Sequence, residues 1–289
     1  MKKCLYLILI MFFSFQTVQA QRAIAFEGIE NARDMGGLVM QDGKKISTGK
    51  LVRSGNLSKA SDSDVAILKD SYHLTNVFDF RFEAEANGAP DRIMDGVIYT
   101  HLSTLPTAFT AAFSSGRADT AQINTKTIAD ALMRYAANPQ AQTMAKRLYP
   151  SIVTDSLAQR YYGEFLKGVL HSKGGALWHC SQGKDRAGMA SAFLLAALGA
   201  GRDVIVADFD LSNQSYAAQV EALTAKIREN GGSEDAVGFI SAMIGVSKEN
   251  FESTLDLIDK QYGSLSQYIE NQLGFSKEEQ QQLREKYLE

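Results

Sequence analysis

The chain has 289 residues, 30 basic and 33 acidic, for a formal net charge of −3, and 45% of it is apolar. That suffices for one sizeable core with a helical elaboration. The slight acidic balance speaks against a nucleic-acid partner, and four histidines without metal-ligand spacing to a cysteine speak against a zinc site.

Met1-Lys2-Lys3 is a basic n-region, Cys4 to Phe15 an apolar h-region, and Val18-Gln19-Ala20 a small-residue cleavage site, so residues 1–20 read as a secretory signal peptide. The apolar run is short for a membrane span and Cys4 stands at its start, not after it, so no stable membrane anchor is expected. Cleavage after Ala20 would place the protein in the periplasm or outside the cell. It removes Lys2, Lys3 and no acid, taking the net charge from −3 to −5. It also removes Cys4, which leaves Cys180 as the one thiol of the exported chain and makes an internal disulfide impossible.

Residues 21–289 then read as one domain. Asn31 to Gly37 places Arg33 and Asp34 before a glycine turn, where they could be simply a charged pair. Leu38-Val39-Met40, an Asp42-Gly43 turn and a return through Leu51 to Ser54 suggest a hairpin. Ser61 opens a helix with Asp62 and Asp64 in its first turn. Leu74 to Arg81 is a strand ending in Asp79 and Arg81. Residues at the carboxyl ends of strands line the crevice of an open α/β sheet, so both are site candidates, an ordinary strand-end ion pair being the alternative. Gly96 to Leu102 is a further strand, and the pattern is helical from Pro106 to Leu170. The piece near 107–150 is longer than a simple crossover needs and is read as a helical insertion, a lid or rim beside a pocket unless it is a surface addition with no role.

Ala176-Leu177-Trp178 is a short buried strand and Met189 to Leu198 a helix, with His179 to Ala187 as the turn between them. Inward-facing N–H groups of Ser181, Gln182, Gly183, Lys184, Asp185, Arg186 and Ala187, backed by the positive end of the helix, would bind a tetrahedral oxyanion such as phosphate. Cys180 at the floor of that ring would be favoured as a thiolate and act as a nucleophile on phosphorus; otherwise it is a small buried hydrophobe. Arg186, at the C-x5-R spacing, offers a planar fork for two phosphoryl oxygens. Lys184 would add a second cation at the mouth, suited to multiply phosphorylated substrates, or else be a solvated lysine. Gly199 stops the helix, and another starts near Val204 and runs through Asn213.

The run His179-Cys180-Ser181-Gln182-Gly183-Lys184-Asp185-Arg186-Ala187-Gly188 resembles the H-C-x-x-G-K-D-R-[TA]-G signature of the bacterial tyrosine and lipid phosphatases of the cysteine-based superfamily. Further matches are N-x-R-D-x-G-G at Asn31, R-S-x-x-L-S at Arg53, D-x-R at Asp79 and D-[YF]-x-L-[ST]-N at Asp208, with a similar helical ending from Tyr262. Together they run from about Phe26 to Leu288, with variable stretches at Thr107 to Ser151 and Leu223 to Ala242.

The resemblance implies a cysteinyl-phosphate mechanism without cofactor or metal, acting on a phosphorylated protein or phosphoinositide. It implies a supporting role for His179 and raises the expectation that Arg33 and Asp34 face the site. One carboxyl group should protonate the leaving oxygen and later deprotonate water. Asp185 is the first choice, as the resemblance implies; Asp79 is second and Asp34 third. A phospholigand-binding module without turnover and a rhodanese-like sulfurtransferase are the alternatives. Alternating strands and helices point to a three-layer α/β fold with a mainly parallel central sheet flanked by helices, which the resemblance implies is of the protein-tyrosine-phosphatase kind.

Overall fold

The computed structural model describes residues 22–106, 109 and 125–289. The expected signal peptide and the first part of the insertion lie outside the described residues.

Six strands form one sheet: β1 Arg22–Ala23, β2 Arg33–Asp34, β3 Leu51–Ser54, β4 Leu74–Asp79, β5 Ile98–His101 and β6 Gly175–His179, in the order β1-β2-β3-β6-β4-β5. β3, β6, β4 and β5 run parallel, and β1 and β2 are antiparallel additions on one edge. Every residue of β3 and β6 is buried, as central parallel strands covered on both faces require. Period-two alternation splits them between two cores. Leu51, Phe78, Ala176 and Trp178 face the larger one, while Val52, Val77 and Leu177 face a smaller one closed by Leu57 and Leu68.

Helix α1, Asp62–Asp70, covers the smaller core and starts at the expected Ser61 cap, whose hydroxyl accepts from the Asp64 N–H while Asp64 reaches back to the Ser61 N–H. A short helix α2, Glu83–Gly88, follows β4. Helices α3, Thr125–Ala136, and α4, Pro139–Thr154, belong to the expected insertion, and α5, Ser156–His171, returns the chain to β6. α6, Asp185–Leu198, carries twelve buried residues and lies in the centre of the helical layer. After it come α7 Arg202–Asp210, α8 Ser212–Ser215, α9 Ala217–Glu229, α10 Glu234–Ile244, α11 Lys248–Tyr262, α12 Leu265–Asn271 and α13 Lys277–Tyr287.

One expectation is corrected. The Asp42-Gly43 turn does exist, with Gly43 at φ 85° and the Met40 N–H on the Lys44 carbonyl, but its return limb is Lys45, bridged to Val39. Leu51 to Ser54 instead pairs with β2 and β6, where all four of its residues are buried between two neighbouring strands. The helix that closes the segment read as an insertion near 107–150 continues past Pro150. α4 runs on to Thr154, with Tyr149, Ile152 and Val153 in the main core, while α3 packs on α9 and α10. The described end of this segment is thus built into the body of the domain.

Candidate active site

Cys180 follows the last residue of β6 and is 2% exposed. The Trp178 indole N–H donates to the Ala187 carbonyl and to Ser191 Oγ, which fastens strand to helix across the loop. Gly183 takes φ 68°, and a Cβ there would stand 2.2 Å from the Ser54 carbonyl oxygen, so only glycine fits the bend against β3.

The loop carbonyls are turned outward, each held by a donor from elsewhere in the chain. Asn56 Nδ2 donates to Ser181 O at 2.8 Å. Asn31 Nδ2 and the Tyr216 hydroxyl donate to Gln182 O at 3.0 and 2.8 Å. Arg53 donates from Nε to Gly183 O at 2.9 Å and from Nη2 to Lys184 O at 2.8 Å. A planar peptide whose carbonyl points out directs its N–H in, so these donors orient the amide ring. Arg53 is fully buried, and burial followed by the like charge of Arg33 brings its pKa down to about 10, against the opposing pull of Asp208 and Cys180. Asp208 carries both arginines: Oδ2 lies 2.6 Å from Arg53 Nη1 and Oδ1 lies 3.1 Å from Arg33 Nε. Gly188 is needed for this approach, since a Cβ there would meet Phe209 at 2.7 Å and Arg53 Nη2 at 2.8 Å.

Arg33 therefore stands behind the loop rather than in the pocket. Asp34 is farther off: its carboxylate accepts the N–H groups of Gly36 and Gly49, each at 2.8 Å, and it serves a turn instead of the site. This removes it from the candidates for proton transfer.

Asp79 and Arg81 close on each other. Arg81 Nε and Nη2 donate to the two Asp79 oxygens, Nη2 also lies 2.9 Å from Asp91 Oδ2, and Nη1 donates to Ala89 O. Burial works against the Asp79 charge, but His179 and Arg81 outweigh it and hold the carboxyl below its ordinary range. A carboxylate so held is a poor proton donor. His179, wholly buried, sets Nδ1 3.3 Å from the Cys180 carbonyl oxygen and Nε2 3.1 Å from Asp91 Oδ2, the latter without hydrogen-bond alignment. Asp79, Asp91 and His179 offer ligand atoms within 4.8 Å of one another, yet the Arg81 guanidinium already spans both carboxylates and supplies the cation a metal would bring.

Lys184 differs from its expected role. Its ammonium donates to the carbonyls of Met243, Ile244 and Gly245 at 2.5, 2.7 and 2.9 Å, satisfying the end of α10. With all three donors engaged and the residue buried, the side chain is not a second cation at the mouth; only its backbone belongs to the anion ring.

Arg186 and Asp185 take up the first turn of α6. Arg186 donates from Nη1 and Nη2 to the two oxygens of Glu85, at 2.5 and 2.9 Å, and Ser181 Oγ donates to Glu85 Oε1 at 2.6 Å. Burial opposes the Arg186 charge, but Cys180 and Glu85 outweigh it and raise the pKa. Asp185 remains partly exposed, with Oδ1 accepting from the Tyr149 hydroxyl at 2.7 Å. Sequence reasoning missed Glu85, Tyr149, Asn31, Asn56 and Tyr216 as contributors. Glu85 had a usable signal, an acid in the first turn of the helix that follows D-x-R, and Asn31 opens the N-x-R-D match; Tyr149, Asn56 and Tyr216 carry no signal of their own.

Residues 24–289 match the model of a family described as the tyrosine phosphatase family. A protein of Cupriavidus necator assigned by name to the tyrosine-protein phosphatases is 31% identical over 260 residues, covering 89% of this chain and 86% of its own. A triple specificity protein phosphatase of Mycobacterium tuberculosis is 30% identical over 266 residues, covering 84% of this chain and 91% of its own.

Proposed function

The chain belongs to the tyrosine phosphatase family, and from that premise we propose that it hydrolyses phosphate monoesters through a cysteinyl-phosphate on Cys180. The observation that carries this is the ring of outward-held carbonyls from Ser181 to Lys184, which leaves the N–H groups to bind the phosphoryl oxygens above the thiol. Cys180 Sγ attacks phosphorus as the bond to the leaving oxygen breaks, and Asp185 gives that oxygen its proton. Water then attacks the same phosphorus, Asp185 takes the water proton, and inorganic phosphate leaves with the thiolate restored. Arg186 stabilises charge on the transferring group, held in plane by Glu85.

Phosphorylated proteins are the first substrate class. Lys184, whose cation would suit a multiply phosphorylated inositol lipid, is spent on α10. Phosphotyrosine, phosphoserine or phosphothreonine, and inositol lipid, the classes the sequence leaves open, are the arms of the assay, and a relative named for triple specificity supports testing more than one. The reading over residues 1–20 makes this an exported enzyme, which N-terminal sequencing of the protein from the periplasm or medium would test; a mature chain beginning at Met1 would overturn export.

The test of function is phosphate release from p-nitrophenyl phosphate with EDTA and a reductant present, beside Cys180→Ser. Turnover lost in that variant, with a cysteinyl-phosphate trapped by acid quench of the native protein, supports the proposal. Phosphate binding without turnover in the native protein overturns it in favour of a binding module.

A further inference from the structure

We propose that Tyr149, contributed by α4, is a positioning residue that aims the Asp185 carboxyl group at the leaving oxygen. The inference rests on the reading of Asp185 as the acid of the reaction. The Tyr149 hydroxyl donates to Asp185 Oδ1 at 2.7 Å across 36 residues of sequence. Its ring has little freedom: the residue is 4% exposed, the ring stands edge-on to Phe209 at 5.5 Å, and Phe209 in turn stacks on Phe251. Ile152 and Val153 anchor the same helix in the core. A rigid donor therefore meets a side chain that is itself partly exposed and would otherwise be free to turn.

Burial, with the Asp185 charge next, raises the pKa of the Tyr149 phenol well above its ordinary value, so the hydroxyl stays a donor throughout the working range. Donation to a carboxylate favours the ionised form over the protonated one. The other groups around Asp185 are Arg186 on its own helix, the Cys180 thiol, Tyr162 from α5 and Tyr216 ahead of α9, with Arg53 from β3 behind Tyr149. Tyr162 donates to the Arg186 carbonyl and Tyr216 to the Gln182 carbonyl, so neither hydroxyl is spent on Asp185. Tyr149 is thus the hydroxyl whose removal should change the proton step while the anion ring is kept.

The experiment compares full-length mature protein with Tyr149→Phe on p-nitrophenyl phosphate, a good leaving group, and phenyl phosphate, a poor one that depends more on the acid. The expected result is a loss in kcat/KM of roughly tenfold on phenyl phosphate, a smaller loss on p-nitrophenyl phosphate, and an alkaline limb moved to higher pH. Replacing Tyr149 with 3-fluorotyrosine keeps the shape and strengthens the donor, and should move the limb to lower pH. Equal losses on both substrates with an unmoved limb in both variants would overturn the proposal as a merely structural effect. Asp185→Asn is the control for the reading beneath it. If that variant keeps the native alkaline limb and leaving-group dependence, Asp185 is not the acid and the proposal falls with it. If it responds as an acid should while the Tyr149 variants do not, only the Tyr149 role fails.

Discussion

Glu85 grips Arg186 with both carboxylate oxygens, at 2.5 and 2.9 Å, and the same carboxylate also accepts the Ser181 hydroxyl. The proposed mechanism asks Arg186 to present a fixed plane to a phosphoryl group, and an acid from the helix after β4 holds its guanidinium. Glu85→Gln puts an amide donor against a guanidinium donor and breaks that plane. We expect kcat/KM on p-nitrophenyl phosphate to fall by about 10- to 100-fold, the worth of a hydrogen bond to a charged group, with vanadate affinity falling alongside. Native kinetics in this variant would show that the pair does not orient Arg186.

Arg53 should be as necessary as the residues of the loop although it never reaches the pocket. Arg53→Met leaves the Gly183 and Lys184 carbonyls without their donor and Asp208 with one arginine in place of two. Breaking a buried pair of this kind costs about 3–5 kcal/mol, which thermal unfolding would register. Arg53→Lys keeps the charge and loses the fork, so it should recover stability in part and vanadate binding poorly. Equal recovery of both would argue that charge alone matters at this position.

Gly183→Ala tests the bend itself. The left-handed conformation alone costs an alanine of order 1–3 kcal/mol, and the Cβ would also sit 2.2 Å from Ser54 O and 2.6 Å from Gly55 N. The expected protein is folded by circular dichroism, lower in melting temperature, and without measurable turnover. Retained activity would mean that the loop reaches its working shape by another bend.

Asp79 separates structure from chemistry. Its folded carboxyl lies below the unfolded value of 3.8, held there by His179 and Arg81 against burial. A depressed acid gives its stabilisation fully above the unfolded pKa and loses it as pH falls through the folded one. The gap in melting temperature between native protein and Asp79→Asn should therefore be constant from pH 8 to about 5 and narrow in stronger acid. On the proposal that the proton comes from Asp185, the leaving-group dependence of the variant should remain native. A dependence lost in Asp79→Asn and kept in Asp185→Asn would exchange the two roles.

What could be read from the sequence is what the chain encodes locally. The apolar strand before Cys180, the glycine bend, the arginine and the helix after it occupy one continuous stretch, and each signals its own conformation. Ser61 likewise marks a helix start that is found in place. Lys184 shows the limit: it lies in a polar loop, and nothing near it in sequence announces three carbonyls some sixty residues downstream. Asp34 shows a second limit, since its partners at Gly36 and Gly49 form a turn closed only when β2 and β3 pair. The sequence suggests a hairpin return for β3 because its neighbour in sequence is closer than β6, its neighbour in space.

The outward carbonyls of the loop have a consequence for anyone who would transplant it. Cut out as strand, loop and helix, residues 175–198 would carry those oxygens into a foreign host without Asn31, Arg53, Asn56 and Tyr216 to receive them. Their peptides would then be free to turn toward water, and the amides that face the thiol would turn with them. A working graft must bring donors from both sides of the insertion, so the smallest portable unit of this chemistry is close to the whole domain.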